Sequence, residues 1–445
     1  MTADHQQADA AAGTNQAARG VRRRTLFKTA GAAGVTAALT AGGFGAGRLS
    51  AAQDIDEKLS LIGSDIVDFY GARQAGVGTS PQAHACFIGL NLKPDTDAKG
   101  LTRMLQLLTD DAARLSTGTP PLADPEPELA LRPARLTVTF GFGRKVMDLL
   151  NPQLTPEWLK PLPKYGIDKL QKRYTGGDLL LQICADDPLT VAHARRMLLK
   201  DSRYYTTMAW IQHGFRNARG SYPEKTTMRN LFGQVDGSAN PDRGSENFDY
   251  LVYGEGELGH IPAGMDAEKG GHLKPWFPNA TSLVLRRIEM NLDTWDELDR
   301  PAREMSVGRT LDTGAPITGG GEFDEPDFEK INPHGFPAIP DISHMRRSRS
   351  DNPDEQIFRR AYNYEDVPDA VWEGEADEDT AVSNAGLLFA SYQADVEKQY
   401  MPIQQRLADL DHLNIWTTPI GSAVFVIPPG ADEGEYVGQK LVEHT

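Results

Sequence analysis

The order in which strand-like and helix-like runs follow one another constrains this chain more than any single motif. "HACFIGLNL" (84–92) is a continuous apolar run with strand character, and Leu101, Met104, Leu105, Leu108, Ala112 and Leu115 then recur at helical spacing. "RLTVTFGFG" (135–143) and "DLLLQICAD" (178–186) read as two more strands. "PLTVAHARRMLLK" (188–200) is a helix opening at Pro188, and "YYTTMAWIQHGF" (204–215) is a fourth strand. The order is βαββαβ, the split-βαβ pattern in which helices cover an antiparallel sheet.

The C-terminal half repeats that grammar with longer insertions. "SLVLRRIEMNL" (282–292) is strand-like, and Asp293 is positioned to cap a helix over "TWDELDRPAREM". "GLLFASYQAD" (386–395) is a further strand. Val396, Tyr400, Ile403, Leu407 and Leu410 then share a helical face that Pro402 should kink or restart, and "SAVFVIPPG" (422–430) closes the unit. The reading is an α+β protein of two ferredoxin-like domains with antiparallel sheets, 53–225 and 226–445. The duplication rests on element order, with no residue-level repeat beneath it.

Residues 1–52 stand outside this scheme. Arg23-Arg24-Thr25-Leu26-Phe27-Lys28 precedes a mild Ala/Gly-rich run, the twin-arginine export pattern, and Ser50-Ala51-Ala52 offers a cleavage point. That run is too short and too mild for a membrane span. The whole chain carries −16, and the mature one about −20, because the leader holds six basic and two acidic residues. Such a charge repels phosphate backbones, so a nucleic-acid partner is excluded. Export of a folded protein to the periplasm, cell envelope or exterior also suggests a cofactor inserted beforehand. Only Cys86 and Cys184 are present, both in apolar strands, so a disulfide framework and a cysteine metal site are excluded.

Residues 308–381 lack regular patterning, and a compact fold rarely carries so long a stretch without using it. His334, His344, a run of arginines between 346 and 360, and acids from Glu365 to Asp379 lie there. None of the ten histidines has metal-pair spacing. A single neutral imidazole such as His344 is nonetheless enough to hold haem iron from one side. "GQVDGSANP" (233–241) holds Asp236 between glycines, aimed at something close by.

"RNLFGQVDGSANP" resembles the Gly-x-x-Asp-Gly segment of the dye-decolorising peroxidases. "FYGARQAGV", "LTVTFGFG", "GGDLLLQICADDP", "WIQHGF", "LVLRRIEMNLDTWDEL", "GRTLDTGAP", "SHMRRS", "IFRRAYNY", "GLLFASYQAD" and "GSAVFVIPPG" resemble that family in its own order, from about residue 68 to 430. With the leader, the chain is similar to the exported bacterial branch. The resemblance implies one haem b per chain, held mainly by the C-terminal domain, and a peroxidase that uses hydrogen peroxide to reach a ferryl state and oxidise dyes, phenols or another organic reductant. It implies His344 as proximal iron ligand, Asp236 and Arg359 as the distal pair, and Asp395 as a carboxylate on the proximal imidazole. Gly237 would border the cofactor and Arg309 would hold a propionate. Arg360 is the neighbour from which Arg359 must be told apart. Tyr362, Tyr364, Trp372 and Tyr392 are candidates for relaying electrons to large substrates. The competing expectation is an exported haem-binding, iron-acquiring protein whose peroxidase activity is incidental.

Overall fold

The computed structural model describes residues 62–375 and 383–444. The leader with Arg23 and Arg24, and the end of the acidic run after Glu375, lie outside them. In the first half β1 (His84–Leu92) is followed by α1 (Ala98–Ser116), β2 (Thr137–Phe142), β3 (Leu179–Ala185), α2 (Pro188–Ser202) and β4 (Thr206–Phe215). Asp97 caps α1 by accepting from Gly100 N at 2.7 Å, and Asp187 caps α2 from Thr190 N at 3.1 Å. Each such cap is worth about 1 kcal/mol.

The second half has β5 (Thr281–Met290), α3 (Arg300–Val307), α4 (His344–Ser348), β6 (Phe358–Arg359), β7 (Tyr362–Asp366), α5 (Asp369–Glu373), β8 (Asn384–Gln393), α6 (Met401–Leu410) and β9 (Thr417–Ile427). Three local readings change. Asn291, not Asp293, caps the first turn after β5, accepting from Thr294 N at 3.1 Å. The single helix expected there is two, Leu292–Asp296 and α3, because Asp299 caps a new start with Pro301 in its first turn. The second strand of this half, β6 and β7, lies inside the stretch read as unpatterned. Pro402 restarts the helix as expected: a π-turn over Val396–Tyr400 gives way to α6 there.

Among the described residues all nine strands join one sheet, in the order β5-β9-β2-β3-β1-β4-β7-β8-β6, and β5 also pairs with β8, so the sheet closes on itself. Within each half the order is the same: last strand beside first, first beside third, third beside second. Two narrow seams join the halves, Phe142 opposite Val426 and Phe215 opposite Asn363. Strands buried on both faces read as unbroken apolar runs. On β1, Cys86 and Ile88 pack outward against α1 and α2, while Ala85 and Phe87 pack inside with Tyr362, Tyr392 and Phe425. Both cysteines are free and buried. Among the described residues no helix is long and apolar enough to cross a membrane.

Candidate active site

Asp236 sits in a loop that three contacts hold in place. Its own N–H donates to Met228 O at 2.8 Å. Phe232 stacks on Trp295 with ring centroids 4.4 Å apart. Arg229 donates to the carbonyls of Leu311 and Asp312. Gly237 follows at φ +134°, where a Cβ would also lie 3.2 Å from Thr227 Cγ2, so the turn that aims Asp236 requires glycine.

Arg359 comes from the end of β6. Its backbone is clamped by Asn240, whose Oδ1 accepts from Arg359 N at 3.0 Å and whose Nδ2 donates to Arg359 O at 2.8 Å. The guanidinium then donates to Asp236 Oδ1 at 3.1 Å. Successive strand residues point to opposite faces, so Arg360 turns the other way. It is fully buried among the inner tyrosines and donates to Thr79 O and Gln82 Oε1. Arg359 is therefore the arginine that shares a space with Asp236.

His344 opens α4, one residue after Ser343. Its Nδ1 meets Asp411 Oδ2 at 2.6 Å. The other oxygen of Asp411 accepts from Leu413 N at 3.0 Å, and His412 N ties the same turn to Ile342 O at 2.9 Å. Burial pushes the imidazole pKa down, but the charge and hydrogen bond of Asp411 outweigh it and hold it above its ordinary value. A proton fixed on Nδ1 leaves Nε2 as a lone-pair donor. Arg359 and Asp236 are the next charges that act on this ring.

Asp395 does not fill its expected role. Its carboxylate caps the turn after β8, accepting from Glu397 N at 2.9 Å and Lys398 N at 3.1 Å. The carboxylate on His344 is Asp411, which the sequence reading missed. An acid at a helix end reads as a cap wherever it stands, and nothing local separates Asp411 from Asp395.

Arg309 follows Gly308, which ends α3 at φ +91°. Its guanidinium donates to Gly314 O and Glu322 O, both at 2.7 Å, and no carboxylate pairs with it among the described residues. Burial first, then the Arg359 charge, lowers its pKa. It is a cation prepared for an anion. His334 is exposed, away from this constellation. Tyr362, Tyr364 and Tyr392 are fully buried inside the closed sheet, while Trp372 is 76% exposed. Among the described residues no cluster of three or more His, Cys, Asp or Glu side chains forms a metal cage. Among the described residues, the residues proposed for this site comprise an imidazole donor, a guanidinium without a carboxylate and an acid–guanidinium pair.

Two family profiles match this chain: Dyp-type peroxidase, N-terminal, over residues 74–216, and Dyp-type peroxidase, C-terminal, over residues 227–432. The chain is 33% identical over 446 residues to the dye-decolorizing peroxidase of Thermobifida fusca (strain YX), covering 96% of this chain and 98% of that protein. It is 30% identical over 398 residues to the deferrochelatase of Shigella flexneri, covering 84% of this chain and 87% of that protein. Among solved structures it resembles the DyP-type peroxidase from Cellulomonas bogoriensis, at 45% identity and TM-score 0.76 over 86% of this chain and 99% of that one. It also resembles DtpA from Streptomyces lividans, solved as an oxyferrous complex, at 35% identity and TM-score 0.75 over 86% of this chain and all of that one (100%).

Proposed function

This chain belongs to the Dyp-type peroxidase family, and on that premise we propose that His344, Asp411, Arg309, Arg359 and Asp236 together form its haem peroxidase site. The protein is a haem-dependent peroxidase that uses hydrogen peroxide to oxidise an organic reductant. The donor set fits one haem b. His344 Nε2 would hold the iron, with Asp411 fixing the imidazole tautomer, and Arg309 would meet a propionate. Gly237 would border the group. When bound, haem supplies the iron that holds peroxide and takes up its two oxidising equivalents.

The chain's own residues then manage protons and charge. Asp236 accepts a proton from one peroxide oxygen and returns it to the other, directly or through a water. Arg359, already oriented on Asp236 and clamped by Asn240, stabilises the negative charge that develops as the O–O bond lengthens. Asp411 keeps the proton on His344 Nδ1 partly shared, which makes Nε2 a stronger donor. The observation that carries this reading is the Asp236–Arg359 pair, because a carrier of haem needs only the axial ligand. Residues 53–225 and 226–445 are the two domains on this view, the second holding the cofactor.

Titration of the purified protein with haem should saturate at one equivalent, and added peroxide should then oxidise a dye or a phenol. Arg359→Leu should slow the peroxide-dependent spectral change roughly 10²–10³-fold, and Asp236→Asn on the order of 10²-fold or less, with haem retained in both. Equal, slow rates in all three proteins would leave haem carriage as the better account. We further propose that residues 1–52 are a twin-arginine leader that takes the folded protein out of the cytoplasm. The Arg23-Arg24 motif supports this, and fractionation of cells carrying Lys at both positions tests it, since normal export of that variant would reject the route.

A further inference from the structure

Outside the haem site, the chain carries two exposed surfaces whose chemistry is complementary. The first is an open groove of about 870 Å³ between α2 and β4. Its floor is apolar, and two of its residues, Leu189 and Met208, are exposed although large and hydrophobic. From Leu189 to Arg203 it runs along nearly the whole of α2, about 20 Å of helix. Its rim is basic in a chain of net charge −16. Among the described residues Lys200 donates only to the carbonyl of Ala123, and the Arg203 guanidinium has no partner.

The second surface is the segment around α5. Val367, Val371 and Trp372 are exposed there, and Trp372 makes no ring contact or hydrogen bond among the described residues. Acids surround it. Asp366 is paired with Arg287 and Asp369 with Arg173, while Glu365, Glu373 and Glu375 have no partner among the described residues. A solvated loop has no use for an unpacked indole flanked by unpaired acids, and a basic rim over an apolar floor has no use for an open groove. One side offers the aromatic anchor and negative charge, the other the apolar seat and positive charge.

We propose that Trp372 of one copy of this chain seats in the α2–β4 groove of a second copy, with Glu373 and Glu375 meeting Lys200 and Arg203. The contact uses two different patches, so it is head-to-tail. Each copy keeps a free groove at one end and a free Trp372 at the other, and the assembly grows until a rotation closes it into a ring.

Sedimentation velocity on the haem-loaded full chain, from about 1 to about 200 μM, tests this. A small contact with one aromatic anchor should show a dissociation constant on the order of 10 μM, weakened by added salt. Trp372→Ala should weaken association at least about 30-fold, and so should Lys200→Glu with Arg203→Glu. Both changes are at the surface, so the Soret band and thermal unfolding should not move. The decisive sample is an equimolar mixture of the two variants. Each has one intact half of the contact, so the mixture should form a complex of two chains that cannot extend, while each variant alone stays monomeric. A monomer at every concentration would overturn the proposal. So would association that survives either variant, or a mixture that fails to complement.

Discussion

A histidine–carboxylate pair sits in each half of this molecule, and the two differ in the ring nitrogen that is held and in exposure. In the N-terminal half, His193 Nε2 meets Asp124 at 2.8 Å with both side chains 1% exposed. In the C-terminal half, His344 Nδ1 meets Asp411 at 2.6 Å, yet the imidazole is 35% exposed while the carboxylate is 5% exposed. One ring is sealed by α2 and the segment at Asp124, and its second nitrogen has no partner among the described residues. The other ring stands at the start of a short helix, anchored on one side and open on the other. The same pairing thus serves packing in one half and ligation in the other, and what decides is which nitrogen is left and whether space lies before it.

The sharpest way to break this comparison is to remove each ring in turn. His344→Ala should abolish stable haem binding, read as loss of the Soret band, while thermal unfolding of the apoprotein changes little. His193→Ala should do the reverse, costing about 3 kcal/mol of stability by orphaning a buried Asp124, with the haem spectrum unchanged. Loss of haem in the second variant, or its retention with normal ligation in the first, would erase the distinction. Next in size is the carboxylate. Asp411→Asn should lower haem affinity or turnover roughly 10–100-fold. Asp395→Asn should cost only a cap, about 1 kcal/mol or less, with the haem spectrum intact. If the two exchanged effects, the assignment of the imidazole's partner would be wrong.

The smallest effect concerns a buried acid whose neighbour is another acid. Asp111 on α1 is pushed up to about 8, first by burial and then by Asp201 on α2. Its folded pKa lies above its unfolded one, so the native state binds the extra proton and stability falls as pH rises between about 4 and about 8. Asp111→Asn removes that penalty. Urea unfolding should show the variant gaining on the parent by on the order of 1 kcal/mol between pH 5 and pH 8, with no gain near pH 4. A constant difference across that range would mean the carboxyl is not the cause.

How far the sequence revealed all this depended on whether the signal was local. In the first half β1, β2 and β3 were legible because both their faces are buried. The strand carrying Arg359 was not, because "IFRRAYNY" interrupts its run with two arginines that only tertiary partners can accommodate: Asp236 for one, Thr79 and Gln82 for the other. The helix after β5 was read as one starting from Asp293, whereas Asp299 caps a second start with Pro301 in the first turn of α3. Asp236, His344 and Arg359 were named from family motifs, and the structure brings the first and third into contact. Asp411 was invisible because its bond to His344 spans 67 positions and because Asp395 offers an equally good local pattern.

The position of β9, between β5 and the seam to β2, sets a deadline during synthesis. Until the last strand exists, β2 has only β3 beside it and β5 has only β8, so each presents a bare row of amide and carbonyl groups. β9 covers the β5 row along its length, meets β2 at Phe142 opposite Val426, and ends at Ile427. A ribosome that has made nearly the whole chain is therefore still holding a nascent product with two adhesive borders, the kind that recruit strands from neighbouring molecules. A stop codon just before Thr417 would be worse for the cell than one much earlier, because it would release that product with everything folded except the piece that makes it safe.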